Sequence, residues 1–116
     1  MAKKPVLEMK IMDILWDAGT GLTPGEVRDR MGVEHQVAYT TVMTVMVRLL
    51  KKGRLARTRR GRAYSYEPAE NRAEYVARRM EELLHAAGDR STALARFLEN
   101  LSASERHDVR RALDEQ

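Results

Sequence analysis

Apolar residues return at helical spacing along most of this chain and alternate like a strand in one short region. Leu7, Ile11, Ile14, Leu15 and Ala18 mark a first helix, which Gly19 and Gly21 bring to a stop. Trp16 sits just off that stripe, where a packing residue belongs. Thr23-Pro24-Gly25-Glu26 opens a second helix: threonine caps it, proline suits the first helical position and Glu26 completes a capping box. This helix is expected to run about nine residues, with Val27 and Met31 inward and Gly32 at its end. Residues 33–37 then connect to AYTTVMTVMVRLLKKG, Ala38 to Gly53.

That third helix is the informative one. At about 100° per residue, Val42, Met43, Val45, Met46, Val47, Leu49 and Leu50 fill one broad arc. Thr40, Thr41, Thr44, Arg48, Lys51 and Lys52 fill the complementary arc without an apolar interruption. Threonine loses side-chain freedom in a helix and favours it only weakly. Three of them beside three cations, with no acid among them, read as a contact surface for which helix propensity has been given up. A merely solvated face would mix in glutamate.

After Gly53, Leu55–Arg59 and Arg62–Glu67 read as two short strands, with Arg60-Gly61 as the tight turn and Pro68 as the stop. Tyr64 and Tyr66 fall on one strand face. The remainder is helical again. Ala73, Val76, Ala77, Met80, Leu83, Leu84 and Ala87 stripe a fourth helix closed by Gly88. Leu94, Phe97, Leu98 and Leu101 mark a short fifth. Ser102-Ala103-Ser104-Glu105 is a capping box opening a last helix, with Val109, Ala112 and Leu113 on its apolar side.

Charge adds direction to this pattern. Residues 1–68 hold 13 Lys/Arg against 7 Asp/Glu, whereas residues 69–116 hold 8 against 10. A basic front and an acidic back suit a nucleic-acid-binding module joined to an oligomerisation segment. The 116 residues are enough for a core without staples, and the absence of cysteine excludes disulfides and thiolate metal sites. No apolar run reaches the roughly 20 residues that span a membrane. MAKKPVLEMK lacks the unbroken apolar stretch of a signal peptide. The expected setting is the bacterial cytoplasm, with no membrane partner.

Three helices followed by a β-hairpin is the element order of a winged helix-turn-helix, whose recognition helix lies in the DNA major groove. The fold class expected is therefore mainly α with a small β-hairpin: a winged helix-turn-helix over residues 1–69 and a helical dimerisation segment over 70–116. On the recognition helix, threonine hydroxyls reach bases or phosphates, threonine methyls meet thymine, and arginine pairs with a guanine edge. Arg57, Arg59, Arg60 and Arg62 around Gly61 suit a wing laid on the phosphate backbone.

AYTTVMTVMVRLLKKG followed by RTRRGRAYSYEP, with EMKIMDILW near the start and TALARFLENLSASE near the end, resembles the penicillinase-repressor family (BlaI/MecI, with the related copper-responsive CopY repressors). The resemblance covers nearly the whole chain. It implies a homodimer on double-stranded inverted-repeat operators with TACA/TGTA-like cores, repressing transcription of a β-lactamase or another stress-response gene. It places DNA-binding residues at Tyr39, Thr40, Thr41, Thr44, Arg48, Lys51, Arg60 and Arg62. It makes Val76, Met80, Leu83, Leu84, Leu94, Phe97 and Leu98 the dimer interface, where periodicity alone would read an intramolecular core. In staphylococcal-type members a sensor-linked protease cleaves an Asn-Phe bond in the fifth helix. The matching pair here is Arg96-Phe97, so the phenylalanine is kept and the asparagine is not. The C-terminal cysteine cluster of the copper-responsive branch has no counterpart.

Catalysis finds no support, because His35, His85 and His107 are scattered and no glycine-rich phosphate loop is present. No metal and no cofactor are expected. Two other readings use the same architecture. One is a regulator that binds an effector through Glu81, His85, His107 or Asp108. The other is a winged helix that docks a protein instead of DNA.

Overall fold

The computed structural model describes residues 3–32 and 37–116, with side chains from residue 6. The connection expected over 33–37 lies outside these residues except for Val37, and so does His35. Among the described residues, eight elements follow one another: α1 (Lys3–Ala18), α2 (Pro24–Asp29), α3 (Tyr39–Lys51), β1 (Leu55–Arg60), β2 (Ala63–Pro68), α4 (Arg72–His85), α5 (Arg90–Glu99) and α6 (Ala103–Asp114). The fold is mainly helical with one antiparallel hairpin, as the patterning required.

Two compact units divide the chain, Met1–Tyr75 and Val76–Gln116. In the first, the α1 stripe (Ile11, Ile14, Leu15) meets Val27 and Met31 from the α2 region and Val42, Val45, Met46 and Leu49 of α3. Leu55 and Tyr66 of the hairpin close this core, and Leu22 and Met12 fill it. The first unit takes in the opening turn of α4 because Tyr75 is buried there. Its ring meets Trp16 edge-on at 5.3 Å. The Trp16 indole N–H donates to Glu70 O at 3.0 Å, and the Arg72 guanidinium lies 5.1 Å over the indole while pairing with Asp13 at 3.1 Å. Trp16 is thus a packing residue.

Strand pairing runs Leu55↔Pro68 to Arg60↔Ala63. The two-residue loop is Gly61-Arg62, one position later than the Arg60-Gly61 turn expected, so Arg62 stands in the turn and Arg60 ends β1. Gly61 adopts φ +63°, the left-handed value that a tight hairpin asks of its first loop residue and that glycine reaches without strain. The base of the hairpin is stitched to the body at Leu22, which exchanges two backbone hydrogen bonds with Tyr66 at 2.9 and 2.8 Å.

α2 is shorter than the spacing to Gly32 predicts, six residues against about nine. Its backbone turns at Arg30, whose N–H bonds back to Glu26 and Val27 carbonyls. Met31 is still buried, from just beyond the helix.

The second unit differs in kind. α5 is capped by Asp89, which accepts from Thr92 N, and α6 by the reciprocal Ser102/Glu105 box. The expected capping box is therefore present, but no residue of 76–116 is buried.

Candidate nucleic-acid interface

The chemistry of α3 follows from how it is seated. Val42, Val45, Met46 and Leu49 are buried, and Met43, Val47 and Leu50 are half-buried, so the apolar arc faces the core. Tyr39, Thr40, Thr41, Thr44 and Lys51 are therefore exposed on the other side, with Arg48 half-buried beside them. Among the described residues, neither Arg48 nor Lys51 forms an ion pair. The polar arc is brought together along one face, as the sequence implied.

Two of its groups carry partners that the helical wheel did not show. The Thr44 hydroxyl donates to Thr40 O at 2.8 Å, one turn back. This bond satisfies a hydroxyl that the helix would otherwise leave to solvent, and it fixes the rotamer so that the methyl group has a set direction. Lys52 Nζ pairs with Glu8 at 3.4 Å. Glu8, on α1, is almost covered, so the last cation of the arc ties the end of α3 to α1. No signal within α3 itself announces either α1 or Glu8.

The entrance of α3 is tied to α2. Arg28 Nε donates to Val37 O at 2.9 Å. Glu26 N donates to Thr23 Oγ1 at 3.2 Å and Thr23 N to Glu26 Oε1 at 2.9 Å, the predicted capping box. Arg60, at the end of β1, reaches across to the same Oε1 with its Nη2. The Thr23 N–H first and the Arg60 guanidinium second hold the Glu26 carboxyl below its ordinary range.

The four wing arginines are not equivalent. The register puts Arg57 opposite Tyr66 and Arg59 opposite Tyr64. The Arg57 guanidinium lies 3.9 Å over the Tyr64 ring and donates to Tyr66 Oη at 3.3 Å. Arg59 stands 5.9 Å from the same ring, and its Nε donates to Gly61 O at 3.2 Å. Alternation in RTR and YSY carried this signal, since residues opposite each other across a hairpin share a face. Arg60 is held by Glu26. Arg62, in the turn, is exposed and forms no ion pair among the described residues.

Other surfaces differ. An open hollow of about 390 Å³ beside Trp16 is rimmed by Glu67, Glu70 and Glu74, the wrong sign for a nucleic acid. His85 stands 3.8 Å from Glu81. Among the described residues, no three His, Asp or Glu side chains gather to hold a metal, so Glu81, His85, His107 and Asp108 form no such set. The expected interface residues Val76, Met80, Leu83, Leu94, Phe97 and Leu98 are exposed in the single chain and Leu84 is half-buried. Arg96 is exposed beside Phe97 on α5.

Comparison with known proteins agrees with this geometry. The profile of the penicillinase repressor family matches residues 6–115. Transcriptional regulator BlaI of Mycobacterium tuberculosis is 40% identical over 94% of this chain and 81% of its own length. The penicillinase repressor of Bacillus licheniformis is 26% identical over 93% of this chain and 87% of its own. The solution structure of the monomeric form of Bacillus licheniformis BlaI in complex with the blaP half-operator aligns at a TM-score of 0.50 and 26% identity. It covers 60% of this chain and 83% of that one.

Proposed function

The chain belongs to the penicillinase repressor family, and from that premise we propose that it is a sequence-specific DNA-binding transcriptional repressor acting as a homodimer on inverted-repeat operators. It is a regulator and not an enzyme, as its relatives are. The observation that carries the reading is the α3 surface. Five exposed or half-exposed polar side chains, Thr40, Thr41, Thr44, Arg48 and Lys51, share one acid-free face of a helix whose other face is the core. Tyr39 stands at the start of that face. Arg48 is the side chain suited to a guanine edge, and the threonines to thymine methyls and phosphates. Arg60 and Arg62 add cations from the wing, and the exposed Arg62, with no ion pair among the described residues, suits a phosphate contact. A related BlaI has been solved on a half-operator, which supports DNA as the partner of this surface.

The homodimer is supported by the second unit. Val76, Met80, Leu83, Leu94, Phe97 and Leu98 are apolar and exposed in one chain, an arrangement that a second copy relieves. The domain roles follow: residues 1–69 recognise DNA and 70–116 dimerise. A sensor-linked protease acting at Arg96-Phe97 would release the repressor by cutting the element that carries Phe97. Because the bond lies within α5, cleavage requires local unfolding of that helix first. Among the described residues, no helix is long and apolar enough to cross a membrane, and a repressor of this kind works in the cytoplasm, beside the chromosome.

The deciding experiment incubates the purified protein with genomic DNA fragments at near-physiological salt and sequences those retained. An inverted repeat with a TACA/TGTA-like core is expected, and the bound promoters name the regulated genes. Retention without sequence preference overturns the reading. Arg48→Ala is expected to lower the ratio of specific to non-specific binding by about thirtyfold, the low end when each copy of the dimer loses one bidentate base contact.

A further inference from the structure

We propose, on the reading that the chain binds DNA, that Glu26 and Arg60 form a clamp that sets the wing against α2. Arg60 then acts on DNA by positioning the hairpin, without touching a phosphate itself.

Three observations carry this. The Arg60 guanidinium pairs with Glu26 across 34 residues of sequence, from the tip of the hairpin to the first turn of α2. The accepting oxygen is not a loose side-chain end. The same Oε1 already accepts the Thr23 N–H at 2.9 Å, so the capping box orders the carboxylate before the arginine arrives. An exposed ion pair is ordinarily weakened by the entropy of fixing two side chains. Here one of the two is fixed for another reason.

The clamp is also in the right place. The Leu22–Tyr66 bridge holds the hairpin near its base. A second attachment at Arg60, the last residue of β1, holds it near its tip. A ribbon fixed at two points along its length does not swing. Arg62, one residue past Gly61, is thereby presented in a set direction and has no carboxylate of its own among the described residues. Division of labour follows: Arg60 aims, and Arg62 contacts.

Salt titration of operator binding separates the two roles, because each phosphate contact contributes about 0.9 to the slope of log affinity against log salt. Arg62→Ala removes one contact from each copy of the dimer and is expected to flatten the slope by about twice that amount. Arg60→Ala is expected to weaken binding about two- to fivefold with the slope unchanged. Glu26→Gln keeps a capping-box residue and removes the charge, and it is expected to match Arg60→Ala. The double variant should be no weaker than either single one, since both break the same pair. Thr23→Ala, which removes half of the cap and leaves the pair, should not reproduce them.

A readout without DNA keeps failure of the clamp apart from failure of the DNA-binding reading. Amide hydrogen exchange at Arg60 and Ala63 is expected to quicken by a similar factor in Glu26→Gln and Arg60→Ala. Unchanged exchange overturns the clamp whatever the DNA result. A slope flattened by Arg60→Ala as much as by Arg62→Ala overturns it too, and so does tighter operator binding by Glu26→Gln. Wild-type protein with quickened exchange in both variants but no salt-sensitive, sequence-selective binding supports the clamp and overturns the functional reading alone.

Discussion

Tyr66 and Leu83 are both large apolar side chains on regular elements, and they meet opposite fates. Tyr66 is 1% exposed in β2, whereas Leu83 is 68% exposed in α4. The same contrast separates the two units. In the first, three helices and a hairpin approach from different directions and each covers the others' apolar faces. In the second, three amphipathic helices leave Met80, Leu94, Phe97 and Leu98 in view. An apolar stripe says that a face is to be covered, but it does not say whether the cover comes from the same chain. In the first unit the answer lies within the chain. In the second, the proposed answer is another copy.

The sharpest way to break this comparison is to place charge on the exposed stripe. Phe97→Asp, or separately Leu83→Asp, buries two carboxylates in each proposed dimer, one from each copy. That costs more than about 5 kcal/mol. Sedimentation is expected to show monomers for both variants, and an intact dimer in either would place the interface elsewhere. The next effect is smaller and belongs to the first unit. Leu49→Ala removes a buried side chain from α3 and is expected to lower stability by about 2–5 kcal/mol in denaturant unfolding. Leu83→Ala in a chain already made monomeric should move it by less than about 0.5 kcal/mol. Equal losses at the two leucines would erase the contrast.

The smallest effect concerns pH. The Thr92 hydroxyl and then its N–H hold the Asp89 carboxyl below its ordinary value. A lowered folded-state pKa contributes stability that is present above the unfolded value, about 4 for aspartate. It is lost as the pH falls through the lowered native value. Circular dichroism is expected to show helix lost on acidification through that window, with a flatter profile in Asp89→Asn, which still caps but does not titrate. The same slope in both proteins would remove Asp89 from the account.

How much of this was legible in the sequence depended on the range of the interaction. Both capping boxes and the apolar arc of α3 follow from spacing over a few residues and stand where spacing put them, and the two strands lie within one residue of it. The turn slipped by one residue, because glycine is equally at home at either loop position and only the strand register decides. The length of α2 was overread, because Met31 is buried from a turn and a helical stripe looks the same whether or not its last member is helical. Lys52 on Glu8, and Arg60 on Glu26, join residues 44 and 34 apart. No periodicity within one element reports such a pair. The surface of α3 was nevertheless readable, because its polarity had to oppose the core that seats it.

Trp16 gives the molecule a further property. It is the only tryptophan in the chain, and its indole is clasped by Glu70 O, the Tyr75 ring and the Arg72 guanidinium where α4 leaves α1. Ultraviolet emission excited selectively at tryptophan therefore comes from that one joint. Tyrosine and a cation beside the indole set its colour and brightness, and loosening the first turn of α4 alters both. The protein carries its own unlabelled lamp at the joint of α1 with the first turn of α4.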